Sequence, residues 1–499
     1  MSGKFILALD QGTTGTRVII YNREGQVISR AYREITQYYP HPGWVEQDAQ
    51  QICRTSYQVI EEAVEKSKIN PGQIAALGIA NQRETTIFWD KDTGFPLHRA
   101  IAWQCRRTFS LCQSWLEAGM ERKVREKTGL GLDPYFSASK IKWLLKEIEG
   151  IEKKVEKGKV LFGTVDSWLL WNLSGGKAHL TDYTNASRSL VFNIHRLEWD
   201  KELLHAFEIP ISILPSPQPS AHYFTQIAPG RPLPAGIPIT AVMGDQQAAL
   251  FGQMAFHPGQ GKITYGTGCF LLVNQGSKVP SPSPDFLITL ACDSEGRPVY
   301  AREGSIFNCG SVIQWLRDGL GLLEKAEDSE KISARIKGTG GLYLVPAFTG
   351  LGAPYWDSFA RGAIFGITRG TQKSHLIRAA LEAIAYQVRD LLEVMPDEER
   401  EKINSLRVDG GGAKNNFLMQ FQADILDLPL ERPVDFEVTA KGVAMLAGLV
   451  VGFWKNESEL LSLWERERFF SPSREKDERE MLYQGWREAI RRLINKPIF

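Results

Sequence analysis

Two stretches of this 499-residue chain share a layout that few folds accommodate. Near the start, KFILALD runs into QGTTG and then TRVIIYN; at 261–274, GKITYGTGCFLLVN repeats the device. Each time a β-branched apolar run meets a turn of glycine and threonine and reverses into a second apolar run with no helix between, which reads as an antiparallel hairpin. In the first case REGQ and VISRAY follow and extend the hairpin to a three-stranded meander. A chain this long exceeds a single core. One such hairpin opening each half therefore predicts two related α/β domains facing each other, 1–252 and 253–499, divided just after GDQQAALFG.

Helical periodicity fills the intervals. SASKIKWLLKEIEG (137–150) sets Ile141, Leu144, Leu145 and Ile148 on one face. With Ser374 as N-cap, HLIRAALEAIAYQVRDLLEVM does the same for Leu376, Ala380, Leu381, Ile384, Val388 and Leu391. The final helix aligns Leu482, Trp486, Ile490 and Leu493. The proline-rich stretch 209–238 predicts surface loops leading into the strand ITAVMGD. GVAMLAGLVVGFW (442–454) is too short to span a bilayer, and its mix of small and large residues predicts a buried helix.

Several function classes fall away. A net charge of +1 without blocks of like charge gives no footing for nucleic acid or an acidic membrane. Six cysteines without CxxC spacing read as reduced cytosolic thiols, and no histidines pair at i, i+3 or i, i+4 for a metal. No GxxxxGK[ST], no GxGxxG after a strand and no GxSxG occurs, so a nucleotide must be held by other means.

The hairpins offer those means. In LDQGTTGTR, converging N–H and O–H donors suit the β- and γ-phosphates of a triphosphate, and Asp10 beside them suits Mg²⁺. A tight turn with no ligand explains the segment equally well taken alone; the second hairpin around Thr267 favours a clamp made from both halves. RVDGGGAKNNFLMQ lets backbone approach a base or ribose, with Asn415 able to bond the base, although a bare strand-to-helix turn is the simpler local reading. NQRETT puts Arg83 and Glu84 after a short apolar run, either facing a polar cleft or forming a surface ion pair. Asp245, followed by Gln246, ends a strand where catalytic carboxylates often sit, or else it caps the next helix. Trp103, Tyr135 and Phe270 lie close in sequence to these polar groups and can wall the carbons of a small polyol.

With those segments assembled, the chain resembles the FGGY carbohydrate kinase family over essentially its whole length. YFSASKIKWLLKE (135–147) and GAIFGITRGTQKSHLIRAALE (362–382) match the two family signatures. NQRETT, WQCRRT, TDYTNASR, GDQQAALFG, TYGTGCF and VPAFTGLGAPYWD resemble its glycerol-specific branch. The resemblance implies a two-domain actin-like (ribonuclease H-like) ATPase fold with an interdomain cleft. It implies cytoplasmic phosphorylation of glycerol by ATP with Mg²⁺, giving sn-glycerol 3-phosphate, in a homodimer or homotetramer. By matching positions, glycerol hydroxyls would meet Arg83, Glu84, Tyr135, Asp245 and Gln246, with Trp103 and Phe270 on its carbons. ATP would lie on Thr13, Thr14, Arg17, Thr267, Gly310, Gln314, Gly411 and Asn415. Asp10 would serve Mg²⁺, and Asp245 would be the general base. The alternatives are a kinase for another small polyol or ketose, and an actin- or Hsp70-like conformational ATPase, which leaves NQRE and GDQQ unexplained.

The chain departs from the family in three places. DQGTTSSR is the usual hairpin, and here Gly15 and Thr16 replace its serines, which implies altered phosphate affinity rather than lost activity. Lys441 stands where an apolar residue is usual. APGRPLPAG (228–236) lacks the glycine-rich basic stretch that senses fructose 1,6-bisphosphate in some members, and no histidine matches the site phosphorylated in others, His222 being nearest.

Overall fold

The computed structural model describes residues 3–357 and 359–494. Each half is built on a mixed sheet, and the two sheets repeat one plan. In the N-terminal half, β1 (Phe5–Gln11), β2 (Gly15–Tyr21) and β3 (Val27–Glu34) form the expected antiparallel meander. On its other side β1 runs parallel to β4 (Ile74–Asn81), and β4 runs parallel to β6 (Pro238–Gly244). The antiparallel strand β5 (Ala221–Gln226) closes that edge.

In the C-terminal half, β7 (Gly261–Tyr265) and β8 (Cys269–Gly276) form the second hairpin, extended by β9 (Leu287–Cys292) and β10 (Pro298–Ile306) in the edge-inward order β9, β10, β8. The strand β7 then runs parallel to β11 (Leu406–Asp409), followed by the parallel β12 (Leu430–Pro433) and antiparallel β13 (Arg466–Phe470). The doubled hairpin of the sequence is thus a doubled sheet, the two-domain actin-like plan.

Two local expectations change. The proline-rich stretch is not all loop: Ala221–Gln226 pairs with the strand after it, because the prolines lie outside this segment and leave its backbone donors free. The long helix Lys373–Glu393 is capped by Gln372 rather than Ser374, with a reciprocal box in which His375 accepts from the Gln372 N–H at 3.0 Å.

One helix of the C-terminal half lies against the N-terminal sheet. Val438–Val450, the predicted buried helix, packs on the N-terminal sheet against Ile6, Ala8, Ala76, Ala80 and Ala241. It also crosses the helix Asp245–Gly252 at glycine: a Cβ on Gly442 would lie 1.9 Å from the Ala248 carbonyl oxygen, and one on Gly252 would lie 2.0 Å from that of Val438. Small residues on both sides let backbone touch backbone, so a helix from one half serves as wall for the other. No described helix is long and apolar enough to cross a membrane.

Candidate active site

The parallel strands β1, β4 and β6 lie side by side, and their C-terminal ends carry three of the predicted groups. Asp10 stands opposite Ala80, and Gly244 opposite Asn81. Asp10, the Arg83–Glu84 pair just past β4, and Asp245 therefore emerge from adjacent ends, with a strand spacing of about 4.8 Å.

Arg83 and Glu84 are not a surface ion pair. Arg83 is 3% exposed, Glu84 1%. The Arg83 guanidinium donates to Glu303 with both arms, Nη1 to Oε2 at 2.6 Å and Nη2 to Oε1 at 3.0 Å, while Nη2 also reaches the Tyr135 hydroxyl at 3.3 Å. Its Nε edge faces Asp245 at 3.5 Å and Glu84 at 3.9 Å. Arg188 donates from Nε to Glu84 Oε1 at 2.6 Å and from Nη2 to Glu303 Oε1 at 3.1 Å. Glu84 has φ +60°, the left-handed region, and hydroxyls of Thr86 and Ser137 both donate to its carbonyl at 3.1 Å, fixing that unusual backbone.

Electrostatics separates the carboxylates. Burial pushes Glu303 up, but Arg188 and Arg83 outweigh it and hold the carboxyl at about 2. Burial raises Asp245, with Arg83 and Lys262 opposing. Asp10 is raised to about 7 by burial, with Arg17 opposing and Asp245 and Glu437 adding to the rise. Gln246 accepts from Lys262 Nζ at 2.5 Å, which ties the N-terminal helix to β7. The rings of Trp103 and Tyr135 meet edge to face at 5.4 Å. From the other half, half-buried Phe270 packs beside Leu250 and Leu272.

The first hairpin is braced by amide side chains. Gln82 Nε2 donates to Gln11 at 3.0 Å and to Gln47 at 2.9 Å, Thr85 donates to Gln82 at 3.0 Å, and Gln47 donates to the Thr13 carbonyl at 2.8 Å. Trp103 Nε1 donates to Thr13 Oγ1 at 2.9 Å, while the Thr14 carbonyl accepts from Ile35. Gly15 is explained by its neighbour, since a Cβ there would lie 2.5–2.6 Å from the Tyr32 ring and hydroxyl. Thr16 is wholly buried, and its hydroxyl has no partner among the described residues. Arg17 sits 5.6 Å from the Tyr32 ring centre and pairs with Glu437 at the start of the interdomain helix.

The second hairpin is held by backbone instead. Cys309 and Ser311 N–H groups donate to the Thr267 carbonyl at 3.0 and 3.2 Å, and Gly310 donates to that of Gly266 at 2.9 Å. Thr267 is exposed, as is Gln314 one turn beyond Gly310. Gly411 follows β11, and a Cβ added there would meet open space. Asn415 caps a helix, its side-chain oxygen accepting from Leu418 N at 2.9 Å while Nδ2 donates to Ser329 at 3.2 Å. Lys441 donates to the Leu463 carbonyl at 2.9 Å, with Asp435 at 3.7 Å.

Three further buried charges line this site, Arg188, Glu303 and Lys262, and local sequence assigns none of them a role. Arg188 lies inside TDYTNASR, whose likeness to the family was the available signal. Glu303 and Lys262 are charges in the interior of strands, an anomaly visible in AREGSI and GKITY.

Paired donor hairpins, one on each of two repeated sheets, with carboxylates at the strand ends beneath them, define a phosphotransferase cleft of the actin-like class. The chain belongs to the FGGY family of carbohydrate kinases: the family's N-terminal domain matches residues 5–252 and its C-terminal domain residues 261–450. It is 53% identical to a glycerol kinase of Carboxydothermus hydrogenoformans, covering 99% of this chain and 98% of that one. Glycerol kinase 2 of Thermotoga maritima is also 53% identical, with 98% and 99% covered. The solved structure of Plasmodium falciparum glycerol kinase with ADP superposes at a TM-score of 0.91, with 35% identity and 98% of each chain covered.

Proposed function

We propose that this chain transfers the γ-phosphoryl group of ATP to a terminal hydroxyl of glycerol, giving sn-glycerol 3-phosphate and ADP. The observation that carries the reading is the group of polar side chains brought together at the ends of β1, β4 and β6. Glycerol offers three hydroxyls on three carbons, and Arg83, Glu84, Tyr135, Asp245 and Gln246 supply matching donors and acceptors while Trp103 and Phe270 wall its carbons. The full-length likeness to glycerol kinases supports the same substrate. A ketose would need the space these two rings take, and a purely conformational ATPase has no use for Arg83 and Glu84 buried and oriented.

Asp245 is the general base. Its half-exposed carboxylate abuts the Arg83 Nε edge, and burial raises its basicity above that of an ordinary aspartate. It aligns the attacking hydroxyl and accepts its proton as the phosphoryl group transfers in line. Thr13, Thr14 and Arg17 on one side and Thr267, Gly310 and Gln314 on the other hold the phosphates, with Gly411 and Asn415 beside the adenosine. Asp10 fits Mg²⁺: its carboxylate makes no side-chain bond among the described residues, and a bound cation would offset the burial that raises it to about 7. Held by Asp10, the ion would supply charge neutralisation. Water competes as nucleophile, so the cleft must close over glycerol before transfer. Six buried free cysteines fit work in the reducing cytoplasm.

The test is ADP release from Mg-ATP with glycerol, dihydroxyacetone, xylulose or ribulose, or with no acceptor. We expect glycerol-dependent turnover that falls by ~10²–10⁴-fold in Asp245→Asn. Its kcat/KM should decline toward acid with an inflection above the ordinary aspartate range, because protonation removes the base. Turnover indifferent to every polyol would overturn the proposal.

A further inference from the structure

We infer that Glu303 and Arg188 are positioning residues that orient Arg83 and Glu84 toward glycerol, and that the glycerol pocket is therefore complete only when the two halves of the protein are in contact. The inference deepens the glycerol reading and rests on it.

The four charges form a closed, buried square: Arg83 to Glu303, Glu303 to Arg188, Arg188 to Glu84, and Glu84 back toward Arg83. Each has almost no contact with solvent. Two cations balance two anions, so each buried charge has partners of opposite sign that offset its desolvation. The division of labour lies in the donors. Glu303 takes both arms of Arg83, which fixes the guanidinium plane and leaves only its Nε edge turned toward Asp245 and Glu84. Arg188 binds one oxygen of Glu84, leaving Oε2 without a protein partner among the described residues and available to a substrate hydroxyl. Arg188 is itself pinned flat, with the Tyr135 and Phe136 rings 5.4 and 5.2 Å away.

Glu303 is the only member from the C-terminal sheet, on β10 (Pro298–Ile306). The others stand on the N-terminal half. More bonds hold β9 and β10 against that half: Ile288 N–H donates to the Gly129 carbonyl at 2.9 Å, and the Tyr300 hydroxyl to that of Ile194 at 2.8 Å. Separating the halves on this side would remove the carboxylate shared by Arg83 and Arg188, and Arg83 would collapse onto Glu84 or Asp245. Glycerol affinity is in this way conditional on a residue that never touches glycerol.

The test compares Glu303→Gln, Glu303→Asp and Arg188→Lys with wild type, reading KM for glycerol, KM for ATP, kcat, glycerol affinity by calorimetry and the melting temperature. Glu303→Gln should raise KM for glycerol ~100-fold with KM for ATP within about twofold. Glu303→Asp, which keeps the charge but shortens the fork, should fall between, and it carries the test if Glu303→Gln does not fold. In a double-mutant cycle, Arg188→Lys and Glu84→Gln should be less than additive, since Arg188 bonds Glu84 directly. Unchanged KM for glycerol with only a lower melting temperature, or additive effects in the cycle, would overturn the inference. Failure of wild type to phosphorylate glycerol overturns the glycerol reading itself, and is recognised before any variant is made.

Discussion

The side of the cleft assigned to glycerol and the side assigned to the nucleotide are built by opposite means. The first rests on side chains: the buried charge square, and beside it the Gln11–Gln47–Gln82 amides and the Trp103 bond to Thr13, which also brace the first hairpin. The second is mostly backbone and glycine, with Thr267, Gln314 and Gly411 exposed and the hairpin held by three main-chain bonds. Ligand size explains the difference. Glycerol has about six heavy atoms and can return at most roughly 9 kcal/mol, so its groups must already be in place. A nucleotide offers phosphates and a base over a large area, and can order a looser site as it binds.

The comparison breaks most severely at the hub of the amide lattice. Gln82→Leu would strand the amide acceptors of Gln11 and Gln47 and the Thr85 hydroxyl, at a cost on the order of 3 kcal/mol of stability. A urea melt with kinetics should show a large loss of stability and a weaker response to both substrates. A shift confined to ATP would contradict a shared, side-chain-built floor.

On the nucleotide side the counterpart is Gly310→Ala. The added methyl would sit 2.6 Å from the Gly266 carbonyl oxygen, forcing the hairpin and its partner loop apart at about 1–3 kcal/mol. KM for ATP should rise about tenfold or more, with KM for glycerol nearly constant. A matching rise in both would show that the two sides are mechanically one. Trp103→Phe probes the link between them, since it keeps the wall but removes the bond to Thr13 Oγ1, worth about 1 kcal/mol. We expect changes of several-fold in both KM values, the smaller in ATP.

How much of this was legible in the sequence follows the same divide. The hairpins, the helix Val438–Val450 and the last helix announce themselves by period and by glycine, which are local signals. Arg83, Glu84 and Asp245 were legible as charges at strand ends. Their setting was not: Arg83 meets Glu303 across 220 residues and Arg188 meets Glu84 across 104, and no window of sequence carries such a pairing. Asn415 shows the converse, a residue read as bonding a base whose side chain performs the helix cap that the simpler local reading implies. The Gly15 departure became intelligible only with Tyr32, seventeen positions on, which pairs with Arg17 in the adjacent strand and lays its ring against Gly15.

Lys441 should give the smallest effect, and it tests whether the interdomain helix belongs to either side. Burial lowers its pKa, while Asp435 and Glu465 pull the other way. Its ammonium bonds the Leu463 carbonyl rather than anything in the cleft. The folded state therefore holds its proton less tightly than the unfolded chain, so between the two pKa values the unfolded state binds more protons and stability rises with pH. Lys441→Met removes that dependence, gaining the desolvation of a cation and losing one hydrogen bond, and at neutral pH should change stability by no more than about 1 kcal/mol in either direction. Urea midpoints at neutral pH and near pH 9 should show wild type gaining on the variant as pH rises, with both KM values unchanged. A variant that instead weakens ATP would mean that the turn from Lys441 back to Glu437, and through it Arg17, is set by this lysine, and would move the helix to the nucleotide side of the comparison.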